Sequence, residues 1–204
     1  MDGKMKGMIM AGMMALSLVL GGMAIFSNAW LEEVDDETTI NVGLSNMELS
    51  ADMDDDCEMM AGMMDAMIEG SESTCDGSEL TTVVALSDYC AMMEGTDADD
   101  CDKTASAGTM GSIGMWGGVV FALLATLMMV LPMAGVDAMD AIPEMGQKVI
   151  SWGAGGLMLL GLVVWYFMLP DGDSSIAMGL WMAGAAMSLG LGSTLIGQFI
   201  PTDE

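Results

Sequence analysis

The sequence predicts an all-α membrane fold: a bundle of four transmembrane helices with a small disulfide-bonded, β-containing extracellular domain between helices one and two. Two observations support this prediction. Hydrophobic residues make up 53% of the 204-residue chain, yet its formal net charge is -26. These apolar and acidic residues are segregated along the sequence, whereas a water-soluble fold would interleave them.

Four stretches of the chain contain no charged residue, namely 7–31, 104–136, 149–170 and 174–202. Each exceeds the ~20 apolar residues that a helix needs to cross the hydrocarbon core of a bilayer. Continuous apolar runs favour helices over a barrel, whose strands alternate over ~10 residues. The alternative is a soluble protein with buried helices, but so short a chain could hardly bury four such runs.

The segment between the first two runs has the opposite character. From Glu32 to Asp102 it holds 22 of the 30 acidic residues, all four cysteines and no basic residue. The sequence therefore predicts an N-terminus (1–6), first span (7–29), acidic extracellular domain (30–109), second span (110–135), loop (136–148), third span (149–169), short extracellular turn (170–175), fourth span (176–199) and C-terminal tail (200–204).

The four lysines, which are the only basic residues, predict the orientation. Lys4, Lys6 and Lys148 lie in the N-terminus and in the loop between spans two and three, which places both in the cytoplasm by the positive-inside rule. Lys103 opposes this orientation weakly. We therefore expect a multi-pass plasma-membrane protein with both termini cytoplasmic. A cleaved signal peptide is the alternative for the first span, but its apolar run of about 19 residues exceeds the usual ~7–15.

The cysteines of the acidic segment predict two disulfides, because an extracytoplasmic compartment is oxidising. Three pairings are possible. We favour Cys57–Cys75 and Cys90–Cys101, which close the shortest loops. So acidic a segment repels itself and has little core, and closing a loop of about 15 residues stabilises a fold by roughly 3 kcal/mol.

Local patterns predict a small sheet and a short helix in this segment. Residues 81–86 and 38–44 are rich in β-branched residues and are typical of strands, with Gly43 as a possible bulge. Residues 57–69 favour a helix, because Met60, Met63, Met64 and Met67 follow helical spacing while the acidic residues lie largely elsewhere.

Two candidate metal sites occur in the acidic segment. Methionines 59, 60, 63, 64 and 67 beside Cys57 could bind copper(I), but methionine also fills the predicted spans, so its abundance is better explained as flexible packing. Asp52, Asp54 and Asp56 have the spacing that opens a calcium loop, but Cys57 stands where glycine is expected. A solvated acidic surface suited to high salt explains these carboxylates better. The charge excludes nucleic acid as a partner.

Small residues in the spans predict close helix packing. Gly114 and Gly118 form a GxxxG pattern, Gly155 lies in span three, and Gly184, Ser188 and Gly192 form a ladder in span four. The simplest use is packing within the bundle, and contact between copies is the alternative. Aromatic residues near the span ends are expected to anchor the membrane interface: Trp30, Trp116, Trp152, Trp165, Tyr166 and Trp181.

The residues that are missing predict a non-enzymatic protein without a cofactor. The chain has no histidine and no arginine, and the predicted spans carry no aspartate, glutamate or lysine. General acid–base catalysis and transport within the membrane usually need such groups.

The arrangement resembles the claudin and peripheral-myelin-protein superfamily of four-helix membrane proteins. In claudins the first extracellular loop carries a Trp, then Gly-Leu-Trp, then two cysteines. Here Trp30 follows span one, Gly43-Leu44-Ser45 matches two of the three motif positions, and Cys57 and Cys75 follow. Ser45 replaces the motif Trp, Cys90 and Cys101 are extra, and the turn at 171–175 is shorter than the claudin second loop. The resemblance implies adhesion, barrier formation or an accessory role in a membrane complex.

The leading hypothesis is therefore a non-enzymatic membrane protein whose outer domain contacts another membrane subunit or copies of itself. One alternative is a membrane-anchored extracellular domain that binds cations, either calcium or copper. A second is a membrane thiol–disulfide oxidoreductase, although the chain has no Cys-x-x-Cys pair.

Overall fold

The computed structural model describes residues 3–35, 38–53, 56–68, 70–132, 135, 143–170 and 174–199. Four long helices are among them: α1 (Gly3–Phe26), α4 (Thr96–Val130), α5 (Glu144–Met168) and α6 (Met178–Phe199). Two shorter helices are α2 (Cys57–Met67) and α3 (Leu86–Cys90). The strands are β1 (Leu31–Asp35), β2 (Thr38–Val42), β3 (Asn46–Asp52), β4 (Glu72–Asp76), β5 (Glu79–Ala85) and β6 (Ser175–Ile176).

The described residues contain four helices that are long and apolar enough to cross a membrane, as predicted. Strands β1 to β5 lie between the first and second of these helices, and both disulfides are present, which confirms that part of the predicted fold. The chain divides into two compact units. The helix unit comprises residues 1–25, 113–163 and 182–204, and the sheet unit comprises residues 26–112 and 164–181.

The sheet has the strand order β4-β5-β3-β2-β1-β6, and all its neighbouring strands are antiparallel. Strands β1 to β5 come from the segment between α1 and α4, whereas β6 comes from the connection between α5 and α6. Pairing of Leu31 with Ile176 joins β6 to β1. Segments that are far apart in the sequence therefore form one sheet.

One face of the sheet forms the core of the sheet unit. Met47 and Val84 are paired on adjacent strands and cluster with Leu86 and Cys90. Ile40, Val42, Ile68, Tyr89, Cys101 and Ala105 pack around this cluster. Alternation along β5, where Leu80, Thr82 and Val84 are buried, directs every second residue to this face.

Both disulfides have the predicted pairing. Cys57–Cys75 joins the start of α2 to β4, and Cys90–Cys101 joins the end of α3 to the first turns of α4. Both bridges therefore lie within the sheet unit, and Cys57 and Cys90 are buried. The predicted strand at 81–86 is present as β5, although Leu86 already begins α3.

The predicted bulge at Gly43 is wrong. Strand β2 ends at Val42, and the backbone N–H of Gly43 donates to the carbonyl of Asn46 in the turn that leads to β3. A β-carbon on Gly43 would lie 2.8 Å from the Ser27 carbonyl oxygen, so the glycine allows a close backbone approach. The predicted helix at 57–69 is shorter, since α2 ends at Met67 and Glu69 lies outside the described residues.

The ends of the long helices differ from the predicted span limits. Helix α1 ends at Phe26 rather than 29, because the next residues enter the sheet and Trp30 N–H donates to the Val42 carbonyl. Helix α4 begins at Thr96, well before 110, and ends at Val130 rather than 135. Pro132 follows shortly and lacks the N–H that would continue the helix. The charged first turns of α4 extend the helix beyond any apolar span.

Helices α5 and α6 also depart from their predicted limits. Helix α5 begins at Glu144, directly after Pro143, rather than at 149. Helix α6 begins at Met178 rather than 176, because Ser175 and Ile176 are taken up by β6.

Candidate functional site

Trp30 is the centre of a buried cluster in the sheet unit. Its side chain is completely buried, and its ring meets that of Trp165 edge to face at 5.1 Å between centroids. Such an aromatic pair adds about 0.5–1.5 kcal/mol beyond the area that it buries. Trp30 and Trp165 were predicted as interfacial anchors, and that prediction is wrong because both are buried, whereas Trp181 and Tyr166 are exposed.

Residues 175–179, at the end of the connection between α5 and α6 and the start of α6, donate hydrogen bonds to backbone carbonyls of Trp30 and its neighbours. Ala177 N–H donates to the Trp30 carbonyl at 3.0 Å, and Gly179 N–H donates to the Ala29 carbonyl at 2.7 Å. The Ser175 hydroxyl donates to the Glu32 carbonyl at 3.0 Å. A β-carbon on Gly179 would lie 2.6 Å from the Trp30 ring. Hydrogen bonds and close packing thus join the short connection to the chain around Trp30.

Leu44 packs against the part of α4 that belongs to the sheet unit. A β-carbon on Gly108 would collide with the Leu44 carbonyl, and one on Gly111 would lie 3.1 Å from the Leu44 side chain. The same added atom on Gly111 would lie 3.2 Å from Trp165. Gly111 therefore lies between Leu44 and Trp165, and Trp165 in turn contacts Trp30.

The sequence reading missed Gly108, Gly111 and Gly179, which allow this cluster to close. Gly108 and Gly111 are three residues apart on α4, so they lie on one face of that helix. Gly114 continues the same spacing of three residues, so the sequence does contain a pattern that indicates a close-packed face on α4. Gly179 had no comparable local signal, since its role depends on pairing with a distant segment.

The small residues predicted to pack between helices fall into two groups in the helix unit: those that approach another helix and those that do not. Gly114 contacts the backbone of Gly161, Gly118 contacts Met158, and a β-carbon on Gly155 would lie 2.6 Å from the Leu191 nitrogen. These three glycines lie where helices approach closely. In the ladder of span four, Gly192 lies near Met13. A β-carbon on Gly192 would lie 2.8 Å from the Met13 methyl group.

The other two positions of the ladder make no such contact. A β-carbon on Gly184 would meet no atom within 4 Å. Ser188 is exposed, and its hydroxyl donates to the Gly184 carbonyl of its own helix. Of the predicted packing residues, Gly184 and Ser188 therefore show no close packing against another helix among the described residues.

The calcium candidates lie only partly within the described residues. Asp52 is the last residue of β3, Asp56 directly precedes α2, and Asp54 lies outside the described residues. Within the described part of the chain, no group of three or more cysteine, aspartate or glutamate side chains could hold a metal ion.

All four cysteines are consumed by the two disulfides. A soft-metal site on α2 would therefore consist of thioethers without thiolates. Cys57 and Cys90 are also buried, which restricts the access that thiol–disulfide exchange requires.

The methionines of α2 lie on two sides of the helix. Met60 and Met64 are half-buried, whereas Met59, Met63 and Met67 are 67%, 50% and 72% exposed. These three residues are four apart and so share one side of the helix. The other side of α2, which carries Met60 and Met64, packs on β4 and β5 of the sheet.

Comparison with protein-family models and with curated proteins finds no match for this chain.

Proposed function

We propose that this chain is a non-enzymatic integral protein of the plasma membrane, whose sheet unit lies outside the cell and contacts another membrane subunit or copies of the same chain. The observation that carries this proposal is that β6 joins the sheet formed between α1 and α4. Both connections on the proposed extracellular side thus contribute strands to one sheet, which supports a shared contact surface.

The disulfides support an extracellular position for the sheet unit. Two bridges hold a domain whose segment from Glu32 to Asp102 carries 22 acidic residues and no basic one. Disulfides persist in oxidising compartments and are rare in the cytosol. Three of the four lysines lie outside this unit, at the starts of α1 and α5, which supports cytoplasmic positions for those ends.

The packing around Trp30 supports a claudin-like arrangement. The motif residues Trp30, Gly43 and Leu44 all occupy close-packed positions in the sheet unit rather than scattered surface positions. Ser45 remains the departure from the motif, and it is exposed. The function implied by this likeness is contact with a neighbour in the membrane or an accessory role in a complex.

Native mass spectrometry of the mildly solubilised protein tests the proposal, with chemical cross-linking in native membranes before extraction as its control. The expected result is a defined oligomer or a co-purifying membrane subunit. A monomer in detergent, together with no protein adduct after cross-linking, would overturn the proposal. Adducts without a surviving complex would show that extraction had dissociated the contact.

A further inference from the structure

The sheet unit exposes a row of methionines that its own core does not use. We define the methionine face as Met59, Met63 and Met67 of α2 together with Met92 after α3. Met92 is 48% exposed and lines a cleft of about 550 Å³ with Met67, Ile68, Gly70, Asp88 and Ala91. The exposed row on α2 is about 12 Å long and leads into this cleft.

The methionine face is presented by a fixed element. The Cys57–Cys75 bridge joins the first residue of α2 to β4, and Cys57 is buried. At the other end of the helix, Ile68 packs against the core around Met47 and Val84. Helix α2 is thus held at both ends, and its exposed side is displayed without disrupting the core.

The charges around the methionine face define the chemistry of what it can bind. Exposed carboxylates lie along α2 at Glu58 and Asp65, and Asp88 lines the cleft. The segment from Glu32 to Asp102 contains no cation to offset them. A second copy of this unit would bring the same negative charge, and like charges repel at an interface. A partner must instead supply both apolar and positively charged side chains.

We propose that the methionine face is the docking site for a basic amphipathic helix of a partner protein. The partner's apolar side covers the methionines, whose unbranched, polarisable side chains adapt to many shapes. Its lysines and arginines pair with the surrounding carboxylates, as in other helix-in-groove complexes. This inference rests on the proposed contact function of the sheet unit and names the chemistry of the partner.

A synthetic peptide of about 18 residues, five helical turns, is the probe. Leucines fill one side and lysines the other, and fluorescence anisotropy measures its binding to the full-length protein in nanodiscs of zwitterionic lipid. Two peptides are controls: one with glutamates in place of the lysines, and one with the same composition in scrambled order. We expect the lysine peptide alone to bind measurably, and more weakly as salt is raised.

The decisive variant is the triple substitution Met59→Gln, Met63→Gln and Met67→Gln. Glutamine has a helix propensity close to that of methionine, so α2 is retained. The expected result is at least a tenfold loss of affinity for the lysine peptide. The matched control is Val34→Gln, an exposed apolar residue on β1, at the other end of the strand order from the strands that α2 contacts. This control should leave the affinity unchanged.

Three outcomes would overturn the docking site. They are no binding of the lysine peptide, equal binding to the triple variant, or equal binding of the scrambled peptide, which would reduce the effect to charge alone. If any of these occurred while native mass spectrometry still showed a co-purifying subunit, the proposed function would stand and only this surface would be wrong. Absence of any complex or cross-linked adduct would instead contradict the proposed function.

Discussion

The helix unit and the sheet unit bury different kinds of side chain. In the helix unit the buried residues are mainly alanine and glycine with a few serines and threonines, and Met14, Met115 and Met158 are the large exceptions. In the sheet unit they include Trp30, Trp165, Leu44, Leu80 and two disulfide cysteines. Helices in lipid gain little from apolar burial and associate by close backbone approach, whereas a domain in water depends on burying apolar area. The two units therefore respond to different substitutions.

The largest effect is expected from Trp30→Ala in the sheet unit. Removing a fully buried tryptophan leaves a cavity and should cost about 3–5 kcal/mol of stability. Circular dichroism during thermal unfolding in detergent measures the loss. Trp181→Ala is the matched control, because Trp181 is 70% exposed, and it should change the stability by less than about 1 kcal/mol. Equal losses in the two variants would contradict the buried position of Trp30.

Removing a disulfide should have the next largest effect. The bridged residues are 18 and 11 positions apart, so replacing either pair by alanine should cost about 3 kcal/mol in the chain-entropy model. Thermal unfolding with and without reductant measures this change. Reductant should destabilise each double variant less than the native protein, since only one bridge remains. A native unfolding midpoint that ignores reductant would show that the bridges contribute nothing.

Two neighbouring glycines of α5 allow the effect of close helix packing to be measured apart from the effect of helix propensity. A β-carbon on Gly155 would lie 2.6 Å from the Leu191 nitrogen, whereas one on Gly156 would meet no atom within 4 Å. Gly155→Ala should therefore destabilise the unit by about 1–3 kcal/mol. Gly156→Ala should be neutral or stabilise it by up to about 1 kcal/mol. Unfolding in detergent gives both values, and effects of the same sign would be inconsistent with this packing.

The smallest effect is expected at a buried hydroxyl of the helix unit. Ser17 donates a 2.6 Å hydrogen bond to the Ala186 carbonyl of another helix. Ser17→Ala should cost about 1 kcal/mol, which is typical of polar contacts between membrane helices. Ser188→Ala is the control, because that exposed hydroxyl bonds only within its own helix. If the control lost as much stability as Ser17→Ala, the contact between helices would not be the cause.

Sequence reasoning was most successful where the signal was local. Long uncharged runs identified the four long helices, and loop length identified the disulfide pairing. Strands β1 and β4 were missed because LEEVD and ESTCD are too acidic and polar to resemble strands, and they form by pairing with neighbours. Strand β6 has two residues and exists only through β1. Its contribution depends on non-local hydrogen bonds that no sequence window contains.

The candidate surfaces show the same limit. Helical spacing correctly indicated that α2 carries a methionine-rich side, but it could not tell which side meets the sheet. That choice depends on the Cys57 bridge and on the packing of Ile68, both of which are tertiary features. The span-four ladder was ambiguous for a similar reason: Gly192 lies against Met13, while Gly184 meets nothing.

The central claim is that the sheet unit makes the protein's contacts, and site-specific photo-cross-linking in native membranes tests it most directly. A photoreactive residue would replace Val34, Met63 or Ile176 in the sheet unit, or Leu160 in the helix unit as the control; all four side chains are exposed. The account predicts discrete protein adducts from at least one sheet-unit position, with Met63 the strongest, and mainly lipid adducts from Leu160. Protein adducts from Leu160 and none from the sheet unit would contradict it.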